Sequence, residues 1–441
     1  MKHLVKLSAV TWLFALTVAL FPASVWGQYV YLSDNVTTNG VSMYDAGTYG
    51  TLTGPTNYLT GGTGSVGSAV ALQEVVIKYK NSLADPVCLF VADPGSSFGY
   101  PNGDIAAFPL PAIYGGIPGP ATQYAPFSTS GPNTLVALAV DRRGPTHNYL
   151  YASFSAEGMI EVFDVTLSNC ALTYKGEIAA VGLNGGVVKS MAVTHAGKEV
   201  LVVSYGDGSI QGFEINPPFG LLTATPAILS WGYTFQGGEP KFVDITENGL
   251  WAVFGDRPSA SYCTGTRSAE VEVASIWQAG GSGVWGSLIS TPFNDYGGPC
   301  SDNATSFGVA LGSANIWLSP DATHNEYDLY ISSALSGMVT TAYVNQTSGV
   351  VTTFLHACTA GHTNQTTLAG GSWSYNLGLH TVYPKGTGLE LAVAEYGGVS
   401  ETALLNIDNW GCTEEVVLSP YTDPYSSNGL VSIDIFPSRP Y

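Results

Sequence analysis

Three cations and two carboxylates have the right types to do chemistry together: Lys189 in "GGVVKSMAV", Lys241 in "GGEPKFVD", Arg257 in "FGDRP", Glu157 in "SAEG" and Glu395 in "AVAEY". Ammonium and guanidinium donors can hold a carboxylate or the oxygen of an opening lactone, while a glutamate takes the proton of an attacking water. That chemistry requires all five at one place, although they are far apart along the chain. Their relevance is therefore a question about the fold that would gather them.

An internal repeat answers it. A short apolar phrase recurs as "VYLSD" from Val30, "LFVAD" from Leu89, "LYASF" from Leu150, "LVVSY" from Leu201, "WAVFG" from Trp251, "LYISS" from Leu329 and "LAVAE" from Leu391, seven copies in all. Most copies lead through a Gly-bearing turn into a second alternating strand, as in "GMIEVF" (158–163) and "GSIQGF" (208–213). Most also follow another strand and a tight polar turn, and a weaker fourth strand completes each unit. Four antiparallel strands repeated at intervals of roughly 50–80 residues predict an all-β, seven-bladed propeller.

The chain ends extend the pattern. "NGLVSIDIFP" (428–437) is a first strand with no second strand after it, and Tyr29 opens a second strand with no first strand before it. Pairing the C-terminal strand with the N-terminal one would complete a blade and close the ring, which removes exposed sheet edges. On this map the turns between second and third strands, and the segments linking blades, share one end of the ring. Glu157, Lys189, Lys241, Arg257 and Glu395 all fall there, with Asp34, Asp93 and Asp207 beside them. His147, His195 and His324 fall in turns at the opposite end and read as plain turn residues.

A strand of this kind followed by Gly-x-Ile-x-Val-Phe, as in "YLYASFSAEGMIEVFDV" (149–165) and "VLVVSYGDGSIQGFEI" (200–215), resembles the seven-bladed YVTN and lactonase-type propeller superfamily. That superfamily includes 6-phosphogluconolactonase-like and carboxymuconate-cyclase-like proteins. The resemblance covers nearly the whole chain after residue 27 and implies a lactonase, cyclase or isomerase acting on a small oxygenated, carboxylated molecule. Its Gly-x-x-Pro-Arg-His blade start is only approached here, by "GGEPKFVD", where Lys241 and Phe242 replace Arg and His. No family catalytic residue carries over. The competing reading is a non-catalytic extracellular module that binds a sugar or protein partner through its Tyr- and Trp-rich loops.

Compartment is read from the N-terminus. A basic start, an apolar run from Leu7 to Val25 and small residues at Val25 and Gly27 describe a secretory leader over residues 1–27, with one propeller domain over 28–441. Export would let the six cysteines pair. Cys263 with Cys300 is the expected bond, because both lie in one long interval between repeats, and Cys88 reads as a buried free thiol. In a eukaryotic host the sequons at Asn35, Asn303, Asn345 and Asn364 would carry glycans.

The chain carries 14 basic and 33 acidic residues, a formal net charge of -19. Such a surface repels phosphate backbones and excludes nucleic acid as a partner. No Gly-x-Ser-x-Gly elbow, zinc-spaced cysteine pair or calcium loop occurs, so no cofactor or metal is expected, the alternative being a calcium ion held at the Asp34 and Asp93 positions with backbone carbonyls. A secreted monomer without a membrane span, acting on a small molecule, is the resulting expectation.

Overall fold

The computed structural model describes the strands from Gln28 to Phe436 and most of their short connections. Residues 1–27 and 437–441 lie outside the described residues. So do several loops, chiefly 65–74, 80–85, 96–102, 111–117, 125–134, 142–146, 195–199, 231–238, 258–269, 276–287, 293–305, 315–324, 371–374 and 383–388. The expected leader and the sequons at Asn35 and Asn303 fall among them.

The first strands are β1 (Gln28–Ser33), β2 (Gly40–Ala46) and β3 (Leu52–Leu59). A sheet follows from β4 (Val75–Tyr79), β5 (Pro86–Asp93), β6 (Asp104–Pro109) and β7 (Thr122–Tyr124), then one from β8 (Leu135–Val140), β9 (Tyr149–Phe154), β10 (Met159–Thr166) and β11 (Ala171–Ala179). The next is β12 (Val188–Val193), β13 (Val200–Tyr205), β14 (Ser209–Asn216) and β15 (Leu221–Ser230), followed by β16 (Glu239–Ile245), β17 (Trp251–Arg257), β18 (Glu270–Ser275) and β19 (Leu288–Pro292). Two larger sheets add a short outer strand: β20 (Ser306–Ala314), β21 (Glu326–Ser333), β22 (Met338–Asn345), β23 (Val351–Thr353) and β24 (Gln365–Thr367); then β25 (Tyr375–Val382), β26 (Leu389–Tyr396), β27 (Glu401–Ile407), β28 (Thr413–Glu415) and β29 (Tyr421–Thr422). The last strand is β30 (Ile433–Phe436).

These six sheets are each contiguous in sequence, and one further sheet joins the two ends of the chain in the order β3-β2-β1-β30. Tyr29 pairs with Phe436 and Leu32 with Ile433, the closure expected from the ends of the sequence. The fold is an all-β propeller of small antiparallel sheets. Its innermost strands neighbour one another in the cyclic order β30, β4, β8, β12, β16, β20, β25 and back to β30.

The core explains why the repeated phrase is apolar at every position. Side chains alternate across a strand, so in β13 Leu201, Val203 and Tyr205 pack toward the β8–β11 sheet, while Val200 and Val202 pack toward β16 and β17. Each described core cluster spans two neighbouring sheets in this way; Val30 and Leu32, for example, meet Ala392, Ala394 and Leu404. Pairing also corrects the fifth copy of the phrase. Gly255 faces Phe242 as Ser204 faces Ser190, so Ala252 rather than Trp251 is the counterpart of Leu201.

Two disulfides are present, Cys88–Cys170 and Cys358–Cys412. Cys88 is therefore not the free thiol expected from its apolar strand. It lies on the face of β5 turned toward the next sheet, where the β10–β11 turn brings Cys170 to a Cα separation of 5.6 Å. The expected partners Cys263 and Cys300 lie outside the described residues, and neither takes part in the two bonds seen. At the end of the ring away from the candidate site, fully buried Lys78 of β4 donates from Nζ to the carbonyls of Asp141 and His147, both at 2.6 Å, tying adjacent sheets together. His147 sits in the β8–β9 turn, as expected. No helix among the described residues is long and apolar enough to cross a membrane.

Cys88 and Cys170 are 82 residues apart in sequence, so their bond restricts a large loop of the unfolded chain. Replacing both with Ser lowers the free energy of unfolding by about 2–4 kcal/mol, read from urea denaturation under oxidising conditions; an unchanged midpoint would remove the bond from any stabilising role.

Candidate active site at the axial mouth

In an antiparallel sheet the start of the first strand, the turn from second to third and the end of the fourth lie at one end. Glu157 in the β9–β10 turn, Lys189 of β12, Lys241 of β16, Arg257 at the end of β17 and Glu395 near the end of β26 consequently share that end of the ring. The register adds what sequence did not anticipate. Pairing slips by one residue between Val188 and Ser190 and again between Pro240 and Phe242, so Lys189 and Lys241 are the extra residues of two β-bulges. The same slip leaves Val136, Phe307 and Leu377 extra in β8, β20 and β25.

A bulge bends its strand and re-aims a side chain, and bulges gather at barrel rims and active sites. Here five neighbouring inner strands carry one at the same end, with the two lysines on adjacent strands and apolar residues on either side. The sequence held a faint sign of this: a lysine interrupts the apolar alternation at the same place in "VVKSMAV" and "EPKFVDI".

Lys189 is partly exposed, and its stem crosses the β13–β14 turn at Gly206. A Cβ at position 206 would stand 2.8 Å from Lys189 Cε, so the glycine makes room for the lysine. Gly206 itself donates its N–H to the carbonyl of Val187, which fixes the turn against the start of β12. For Lys241, Arg257 and Glu395 the strand positions are described and the side chains are not. Arg257 pairs in register with Glu239, and Glu395 lies between Asn376 and Glu401. Glu157 is a half-buried turn residue next to Gly158.

The aspartates expected to ring the mouth do something different. Asp207 accepts N–H groups from Asn184 (2.7 Å), Gly186 (3.2 Å) and Ser209 (3.0 Å) and the Ser209 hydroxyl (2.5 Å). Burial raises its pKa, but these bonds together outweigh burial and hold the carboxyl below its ordinary value. Its target is the segment linking β11 to β12, where Gly182 passes too close to the carboxylate for any Cβ. Asp34 accepts the Ser42 hydroxyl (2.7 Å) and the Asn57 amide while facing Asp423 from the neighbouring sheet. Asp93 accepts from Asn39 (2.7 Å) and Thr60 (2.8 Å) of the closing sheet. Both carboxyls are buried, at 1% and 0% exposure.

These positions are therefore seams between sheets, not an exposed acidic rim. On the repeat alignment Glu395 takes the place of Asp34 and Asp93. Its candidacy as a general base is weakened accordingly. Among the described residues no group of three His, Cys, Asp or Glu side chains is placed to hold a metal ion.

The fold defines the class: an all-β propeller of small antiparallel sheets, with the strand positions of Lys189 and Lys241 on adjacent inner strands at one end of the ring. No family model matches the sequence. No curated protein matches it either. Among solved structures, the periplasmic gluconolactonase PpgL of Pseudomonas aeruginosa is similar with a TM-score of 0.63 at 13% identity, covering 93% of this chain and 98% of that one. A 6-phosphogluconolactonase-like protein of Bacteroides fragilis has a TM-score of 0.60 at 14% identity, covering 94% and 99%. A functionally unknown protein of Desulfotomaculum acetoxidans has a TM-score of 0.54 at 12% identity, covering 91% and 98%. At these identities the likeness is one of fold.

The seams give a pH signature. Burial, with Asp423 nearby, pushes the Asp34 pKa up to about 7, against the bonds from Ser42 and Asn57. The folded chain then keeps a proton that the unfolded chain releases above pH 4. Stability consequently falls as pH rises from 4 to 7, by up to ~1.4 kcal/mol per pH unit for this one group, and levels off above. Asp207 has the opposite sign, its contribution being lost as pH falls below 4. Urea denaturation of Asp34→Asn against the parent across pH 4–8 reads the first effect: the descent becomes shallower by one proton's slope, and an identical slope in both proteins rules it out.

Proposed function

We propose that this chain is a secreted, seven-bladed propeller enzyme of lactonase type, acting on a small oxygenated, carboxylated organic molecule at the axial mouth. In this reading residues 28–441 form one monomeric domain after loss of a leader at 1–27. The observation that carries it is the pair of bulge lysines, Lys189 and Lys241, on adjacent inner strands at the end where an axial opening would admit a ligand. Two cations side by side suit a carboxylate or a lactone oxygen.

The whole-length likeness to gluconolactonase-type propellers supports the reaction class, and the two disulfides and the periplasmic neighbour support export. The cyclic order of the inner strands supports the count of seven blades. Asn345 and Asn364 are partly exposed turn-side residues, which suits glycan acceptors in a eukaryotic host.

Lys189, Lys241 and Arg257 hold the substrate carboxylate and the carbonyl oxygen, stabilising negative charge as water adds to the lactone carbon. A glutamate accepts the proton of that water, and the ring oxygen leaves with a proton as the carbon–oxygen bond breaks. Glu157 is favoured as the base, because the counterparts of Glu395 are the buried seam residues Asp34 and Asp93. No cofactor enters the scheme.

Lys241→Ala and Arg257→Ala test it, assayed for opening and closure of a panel of sugar-acid lactones. Each lowers kcat/KM on the order of 100-fold with the thermal midpoint retained. Turnover equal to the parent in both would retire the site and favour a binding module for a sugar or protein partner.

A further inference from the structure

Of the large apolar side chains exposed among the described residues, two lie on one loop beside the proposed reacting groups: Val181, 44% exposed, and Leu183, 51% exposed. Both belong to the link between β11 and β12, residues 180–187, at the same end of the ring as Glu157 and Lys189. The link spans the distance between those two residues. Ala180 donates its N–H to the carbonyl of Gly158 (2.7 Å), and a Val181 methyl packs over that glycine, the residue after Glu157. Further along, Leu183 donates its N–H to the Ser209 hydroxyl (3.2 Å), and Val187 accepts from Gly206, the glycine beneath the Lys189 stem.

A single exposed aliphatic side chain is ordinary on a protein surface. This pair differs in how firmly it is held. The N–H groups of Ala180, Gly182, Leu183, Asn184, Gly185 and Gly186 are all bonded, two of them to Asp207 Oδ2 and two within the loop itself. Gly182 and Gly186 pass so close to Asp207 that neither position has room for a Cβ. A loop fixed in this way cannot turn its apolar side chains inward, and a ligand that covers them binds without a further cost of ordering the chain.

We infer that Val181 and Leu183 are the specificity-determining residues of the mouth, an apolar shelf between the Glu157 turn and Lys189 that covers an alkyl group of the substrate. The inference rests on the reaction proposed above and narrows its substrate class to a lactone carrying an alkyl chain, in preference to a polyhydroxylated sugar-acid lactone. Small-molecule sites combine apolar lining with a few placed polar groups; Lys189 supplies a charge for the carboxylate, and the shelf supplies the apolar part. The hydroxyls of a sugar acid find no hydrogen-bond partner on two aliphatic side chains and lose water when they cover them. Asp207 is a positioning residue here, since its carboxylate holds the loop and not the ligand.

The test titrates the full chain by calorimetry with gluconate and with hydroxynonanoate, the acids to which gluconolactone and nonalactone open, and follows turnover of the two lactones alongside. Hydroxynonanoate binds on the order of 10-fold more tightly than gluconate, and nonalactone has the higher kcat/KM. Val181→Ser combined with Leu183→Ser brings both ratios toward unity, through KM rather than kcat. Asp207→Asn, which leaves the two aliphatic residues in place, erodes the same preference. Val350→Ser, at an aliphatic residue of similar exposure (46%) in the β22–β23 turn at the opposite end of the ring, keeps it. Equal affinity of the parent for the two acids, or none for either, overturns the inference even where a lactone is opened. A preference that survives in the folded double variant overturns it equally. The lactonase reading fails by a different result: an alkyl preference in binding that the double variant loses, with neither lactone opened, keeps the shelf and removes the reaction. The comparison of acids is made on the parent protein, so it does not depend on any variant folding.

Discussion

Among the described residues the sheets bury apolar side chains on both faces, and that single fact forces the ring. In β13 the side chains of Leu201, Val203 and Tyr205 leave one face and those of Val200 and Val202 the other, all of them buried. Each such side chain is stabilised by roughly 1.5–3 kcal/mol on leaving water, so a sheet needs a neighbour on both sides. An open stack leaves two faces bare, and only a cycle covers all of them. The pairing of β1 with β30 is where that cycle is made: it sets Val30 and Leu32 against the sheet before and Tyr31 and Val41 against the sheet after.

Apolar packing alone would let neighbouring sheets slide, because one row of Val, Leu and Ala fits another in several settings. Polar groups remove that freedom, since a buried donor or acceptor is costly unless its partner is in place. Asp207 reaches the segment linking β11 to β12, Asp34 meets the Asn57 amide and Asp423, and Asp93 meets Asn39 and Thr60. At the other end Lys78 finds the carbonyls of Asp141 and His147 in the next sheet. The Cys88–Cys170 bond does covalently what these contacts do by hydrogen bonding.

The repeat was legible because burial on both faces leaves an unbroken apolar phrase bounded by Gly turns, a pattern that survives even where each copy is degenerate. Closure was legible for a similar reason: a lone first strand at one end and a missing one at the other fit each other. What escaped notice depends on neighbours that a linear reading does not contain. Asp34 and Asp93 look like exposed turn residues until the adjoining sheet covers them, and Cys88 looks like a small apolar side chain until the β10–β11 turn brings Cys170 to it. The bulges are hidden differently, because an extra residue in a strand changes pairing without changing composition; the same oversight placed the fifth phrase one residue early, at Trp251.

That division between scaffold and mouth bears on how a net charge of -19 is distributed over the molecule. At physiological salt the field of distant carboxylates fades within about 8–10 Å, and three of those expected at the mouth, Asp34, Asp93 and Asp207, are bonded to neighbouring segments instead. Asp207, close to Lys189 along the chain, has its oxygens occupied by N–H groups and a hydroxyl. Lys189 of β12 is partly exposed at that end, its stem laid across Gly206. On the neighbouring strands the same backbone slip falls at Val136, Phe307 and Leu377, so the device is shared while the residue type it carries changes from strand to strand.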